Sequence, residues 1–222
     1  YPAFSAPTGI DAQYAWTRPG GDGSGITICD IEYSWNENHG DLSKAPGMQI
    51  NSFVADPFSD NNHGTAVLGE LISDDNGPNW GTKGVCPGAS IYFSGSYYGT
   101  PAPSWSPAGA IAVALAYLKA GDIILLEQQW DYTGTGGFVP IEWWLSTTPS
   151  AQFPNAVYVA VQTAIANGVH VVEAGGNGYM NTDAMTWVGD SGAIIVGAGG
   201  AYPGGAWPEG DLERLSFSSY GS

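Results

Sequence analysis

Apolar residues follow two rhythms along this chain. Short, mostly apolar runs at residues 26–31, 89–93, 122–126, 169–172 and 193–196 are bounded by Gly, Pro or Asp, and each has the length of a buried strand. Further strands are expected at 48–54 and 215–218. Between the runs the spacing turns helical. Val67, Leu68, Leu71 and Ile72 follow Asn61-Asn62-His63-Gly64-Thr65-Ala66 at intervals of three and four, which puts His63 in the first turn of a helix. Ser106-Pro107 opens a second helix over 107–119 with Ile111, Ala114, Leu115 and Leu118 inward, and Gly121 stops it. A third runs over 153–167, with Val157, Val161, Ala164 and Ile165 inward, to Gly168. A short helix over 8–18 closes at Pro19-Gly20-Gly21.

Strands that alternate with helices and are apolar throughout predict a parallel sheet covered on both faces. The fold class expected is α/β: a three-layer α/β/α sandwich with a mostly parallel central sheet. No internal repeat or linker interrupts the 222 residues, so residues 1–222 read as one domain, large enough to bury roughly 70–75% of the unfolded surface. The connection over 131–150, which carries Trp143-Trp144, is long enough to be functional or packed as a flap.

Five Lys and Arg against 21 Asp and Glu give a net charge of −16, which argues against nucleic acid or an anionic membrane as partner. The acid is scattered, as on a solvated surface. No apolar run approaches the roughly 18 residues of a membrane span, and Tyr1 reads as a processed N-terminus with no signal peptide before it. Nine Trp, 12 Tyr and 33 Gly with so few Lys suggest a secreted protein. Of the two cysteines, Cys29 lies in an apolar run where a buried free thiol is usual, and a bridge to Cys86 is the alternative. The turn cluster over 74–79 is dense enough in oxygen ligands to hold structural calcium, although a solvated loop is the simpler reading.

In a parallel sheet the chemistry gathers at the carboxyl ends of strands. Asp30 ends one run, Glu127-Gln128-Gln129 another and Gly175-Gly176-Asn177-Gly178 a third, while His63 opens a helix and Glu32 adds a second carboxylate near Asp30. An Asp, a His and an Asn on one rim form a hydrolytic constellation that lacks its nucleophile. The carboxylate would fix the imidazole tautomer, the imidazole would serve as base and then acid, and the amide would donate to an oxyanion. Gly64 leaves room for another backbone, such as a bound peptide. A capping role for His63 is the plainer alternative. His39 reads as a turn residue and His170 as a strand residue; their separation in the pattern speaks against zinc.

Gly25-Ile26-Thr27-Ile28-Cys29-Asp30, Asn38-His39-Gly40-Asp41-Leu42, His63-Gly64-Thr65, Gly84-Val85-Cys86-Pro87-Gly88-Ala89, Ala174-Gly175-Gly176-Asn177-Gly178 and Ser216-Phe217-Ser218-Ser219-Tyr220-Gly221 together resemble the subtilisin-like serine proteases, in that family's order. The resemblance implies a serine endopeptidase acting on protein or peptide, with no cofactor needed for its chemistry. Asp30 would be the triad carboxylate, His63 the base and Asn177 the oxyanion-hole amide. Glu127-Gln128-Gln129 would pair with the substrate backbone and wall its first specificity pocket, Tyr97 and Gly99 would lie near the facing strand, and Gly175 and Gly176 would border the substrate.

Two departures stand out. The family has small or apolar residues where this chain has Glu127, Gln128 and Gln129. Its nucleophile sits in a Gly-Thr-Ser motif beyond the position of Gly221, and no Gly-Thr-Ser occurs before Ser222. The expectation is a peptidase domain lacking its C-terminal portion, with the serine on a companion polypeptide. A truncated chain and an inactive, peptide-binding relative are the alternatives. Gly189-Asp190-Ser191-Gly192 matches the serine motif of chymotrypsin-like proteases, but the helices contradict their all-β fold, so it reads as a turn. A sedolisin type, with Glu for His and Asp for the oxyanion Asn, is opposed by His63 and Asn177.

Overall fold

The apolar runs pair side by side. A computed structural model of the chain describes residues 10–52, 56, 58–76, 81–98, 104–143, 155–186, 188–200 and 213–221. Its elements are α1 (Ala12–Ala15), β1 (Thr27–Glu32), α2 (Asn62–Ile72), β2 (Ser90–Gly95), β3 (Tyr97–Tyr98), β4 (Ser104–Trp105), α3 (Pro107–Ala114), β5 (Ile123–Leu126), β6 (Gln129–Asp131), β7 (Phe138–Pro140), α4 (Ala156–Ala166), β8 (His170–Ala174) and β9 (Ile194–Val196). Five strands form one parallel sheet in the order β2-β1-β5-β8-β9.

Alternation along β1 sorts its side chains between two cores. Cys29 and Ile31 join Ile124, Leu126 and Val171 beneath α3 and α4. Ile28 faces the other way, with Ile91 and Phe93, against Leu68 and Ile72 of α2. Helices on both faces complete the three-layer α/β/α sandwich.

Several elements depart from the sequence reading. The helix expected over 8–18 is the single turn α1, with Thr8 outside the described residues. The strand expected over 48–54 contributes one parallel bridge, Gln49 to Phe93, with 53 and 54 outside the described residues. Helix α3 ends at Ala114, five residues early, and the chain winds down through mixed three- and four-residue turns to Lys119, whose N–H is captured by the Asp122 carboxylate. Residues 215–218 form a turn closed by Ser218 N–H on the Leu215 carbonyl, flanked by bridges at Arg214 and Tyr220. The described part of the long connection after β5 folds as the β6–β7 hairpin and a 3-10 turn at Ile141–Trp143, and 144–150, with Trp144, lie outside the described residues. Both cysteines are free thiols, and burial raises the pKa of Cys29.

The interior also holds a carboxyl pair. Glu173 and Glu142 are both buried, and Glu173 Oε1 accepts the Glu142 N–H at 3.0 Å. Glu142 Oε1 accepts from Trp143 Nε1 and Ser191 Oγ, while Oε2 of each glutamate meets no partner among the described residues. Burial, and then the charge on Glu142, push the Glu173 carboxyl well above the ordinary range. An acid whose folded pKa is raised costs nothing below its unfolded value, near 4.3, and costs progressively more as pH rises above it. Glu173→Gln keeps the acceptor for the Glu142 N–H and removes the charge. It is expected to raise the melting temperature at neutral pH and flatten its decline between acid and neutral pH, followed by circular dichroism; an unchanged pH slope would count against a neutral Glu173.

Candidate active site

Helix α2 is pinned to the chain that leaves β1. A Cβ on Gly64 would lie 2.4 Å from the Ser34 carbonyl oxygen, so glycine here admits the protein's own backbone, where a bound peptide was the sequence expectation. The Asn36 N–H donates to Thr65 Oγ1 at 2.9 Å, and Thr65 Oγ1 donates to the Asn61 carbonyl. The helix start therefore lies directly over the end of β1.

There His63 Nδ1 stands 2.6 Å from Oε1 of Glu32, a fully buried carboxylate whose Oε2 accepts the Tyr33 N–H. The Tyr33 ring stacks alongside the imidazole at 6.2 Å. This corrects the expectation for Asp30. Its Oδ2 accepts the Trp35 indole N–H at 2.8 Å, and its Oδ1 has no partner among the described residues. The physical reason is depth. Asp30 and Glu32 share one face of β1, but two residues of strand rise by about 7 Å, and the first turn of α2 lies level with Glu32. Period-two alternation was the signal that could have identified Glu32: the same face, one pleat nearer the rim.

Electrostatics separates the two acids. Burial first, and the Glu32 charge second, lift the Asp30 carboxyl well above the carboxylate range, against the pull of Trp35. The Glu32 carboxylate set against Nδ1 is the main cause of a raised pKa at His63, opposed by partial burial and helped by the more distant charges of Glu127 and Asp30.

His63 lines a cavity of about 520 Å³ together with Glu127, Gln128, Gln129, Tyr97 and Asn177. Gln128 is buried and occupied: its amide donates to the Ile31 carbonyl, and its oxygen accepts from Trp105 Nε1. Gln129 belongs to β6, so part of its backbone is already paired with β7, and its side-chain oxygen accepts the Asn177 N–H at 2.8 Å. That bond holds the Asn177 backbone and leaves the side chain exposed. The expected substrate-pairing strand is thus partly consumed by the protein's own hairpin. Gly175 and Gly176 approach the Val196 and Phe138 carbonyls and do not line the cavity; Cβ atoms there would lie 3.1 and 2.6 Å from those oxygens. Gly99 lies outside the described residues. Trp130 and Phe138 of the hairpin, missed in the sequence, complete the wall.

Ser191 is buried with its hydroxyl on Glu142, in keeping with a turn. His39 Nδ1 accepts the Asp41 N–H within its own turn. Among the described residues no group of three or more His, Cys, Asp or Glu is disposed to hold a metal ion. In the 74–79 cluster Asp74 takes Ser43 N–H and Oγ–H, and 77–79 lie outside the described residues.

A histidine with a folded pKa above its unfolded value adds stability that is full below about pH 6.5 and fades as pH rises through the folded value. The imidazole Cε1–H resonance followed by NMR should therefore titrate above 6.5. Glu32→Gln should bring that midpoint down to 6.5 or below, whereas Asp30→Asn should leave it raised. The reverse pattern would assign the imidazole to Asp30.

No family model matches the chain. Over 168 residues, 76% of the chain, it is 30% identical to the minor extracellular protease Epr of Bacillus subtilis strain 168, of whose length it spans 22%. Among solved structures, a protease from Pseudoalteromonas arctica superposes with a TM-score of 0.64 at 18% identity, over 100% of this chain and 67% of that one. The psychrophilic subtilisin-like protease Apa1 from the Antarctic psychrotroph Pseudoalteromonas sp. AS-11 does so at 0.57 and 21%, over 95% and 43%. Among the described residues no helix is long and apolar enough to cross a membrane. With the parallel sheet, the helix-borne histidine and this likeness together, the chain is a subtilase-like protein.

Proposed function

We propose that this chain carries the acid–base and oxyanion-binding part of a secreted serine endopeptidase. The observation that carries the reading is the 2.6 Å contact between His63 Nδ1 and buried Glu32, at a cavity that Asn177 also lines. Glu32 holds the tautomer with its proton on Nδ1 and stabilises the imidazolium, which frees Nε2 to take a proton from a hydroxyl and return it to the leaving amine. The Asn177 amide donates to the oxyanion.

The hydroxyl comes from outside these residues. Among the described residues no Ser, Thr or Cys lines the cavity. Strand β9, at the sheet's edge, leaves Ile194, Ile195 and Val196 exposed at 55, 38 and 49%, although strands of a parallel sheet are ordinarily covered on both faces. Further polypeptide that covers β9 and brings a serine to His63 answers both features. The same lack of a nucleophile supports a second reading, a peptide-binding module that does not cut.

A fluorophosphonate probe on the protein as isolated, with native mass measurement, separates the two. Labelling that is lost in His63→Ala supports the protease; retained peptide binding without labelling supports the module. In the protease, Glu32→Gln should lower kcat/KM by about 10⁴ and Asp30→Asn by far less. Asn177→Ala should lower kcat by about 10²–10³ with little change in KM. Undiminished turnover in His63→Ala would remove the assignment.

A further inference from the structure

The cavity has a charge and a shape that the hydrolytic residues do not explain. Its walls are aromatic and braced: Phe58 packs edge-on against Tyr33 at 4.9 Å and Tyr97 at 5.9 Å, and Trp105 stacks on Trp130 at 5.6 Å. Two acids line it, Glu127 and Asp131. Asp131 is committed to its own turn, accepting from Gly136 N–H and Thr133 Oγ1. Gln128 and Gln129 are committed as well.

Glu127 is different. It leaves β5 half-buried on the cavity wall, and among the described residues no hydrogen bond or ion pair reaches its carboxylate. Its surroundings bear this out. Burial is the first cause of its raised pKa, the charges of Glu32 and Glu70 add to the rise, and His63 alone opposes it. A half-desolvated carboxylate among ring faces is a site that a cation improves twice, by pairing with the acid and by lying over the quadrupoles. The net charge of −16 would draw such a group toward the protein from a distance.

We propose that Glu127 makes this cavity selective for a peptide segment bearing a cationic side chain, a guanidinium or ammonium seated among the aromatic rings and against Glu127. The inference rests on the cavity being a peptide site, but it requires neither a nucleophile nor turnover.

Binding of N-acetyl-arginine amide and of N-acetyl-citrulline amide, which has the same shape without the charge, can be followed by quenching of tryptophan fluorescence from Trp105 and Trp130. The measurement belongs above the raised His63 midpoint, where the imidazole is neutral. The arginine compound should bind about tenfold tighter or better, and the margin should shrink as salt is raised. Glu127→Gln should remove the margin while His63→Ala preserves it, so that loss of catalysis and loss of cation selection are read separately. Equal affinity for the two compounds in the parent protein, which needs no variant, would overturn the proposal. So would a margin that survives Glu127→Gln, or binding of neither compound.

Discussion

The contact between α2 and the backbone that leaves β1 is the constraint on which the site depends. A side chain at position 64 would meet the Ser34 carbonyl oxygen at 2.4 Å, and interiors packed to crystal density do not yield by an ångström without loss. With glycine there, Thr65 receives the Asn36 N–H and the loop closes over the helix start. Only in that position does a carboxylate with no exposure to water face an imidazole that is half exposed. Glu32 is costly to bury without a partner, and His63 is the partner; each group makes the other's position tenable.

The same economy runs through the other buried acids. The chain has few cations, and Arg and Lys do not penetrate the core to neutralise Asp30 or Glu173. Burial instead favours their neutral forms, and the partners they do have are N–H donors: the Trp35 indole for Asp30 and a backbone amide for Glu173. Near His63 this has a consequence for the chemistry. With Asp30 favoured neutral and turned to Trp35, Glu32 is left as the acid in direct contact with the imidazole. Two acids spaced by one pleat, one against an indole and the other against an imidazole and a backbone N–H, acquire different work.

The hairpin β6–β7 redefines the groove. It occupies part of the backbone at Gln129, brings Trp130 and Phe138 into the wall, and anchors the Asn177 backbone through the Gln129 side chain. The glycines at 176 and 178 belong to this arrangement, since Cβ atoms there would meet the Phe138 backbone. Glu127 is left at the junction of β5 and the hairpin, an acid on the cavity wall to which no neighbour is bonded among the described residues.

What the sequence determined by itself was periodicity and its consequences. Continuous apolar runs between helical stripes dictate a covered parallel sheet, because side chains that point to both faces must all leave water. The rim positions of Asn177 and Glu127 follow from where those runs stop, and that of His63 from where a helical stripe begins. Position along a shared face is another matter. Asp30 and Glu32 are equivalent in alternation, and only the level at which α2 crosses β1 decided which of them meets His63. In the same way, residues 48–54 and 215–218 carry strand-like composition, yet what each could pair with depends on the chain packed beside it. Those choices rest on contacts between residues far apart in the chain, and local pattern does not encode the distance between them.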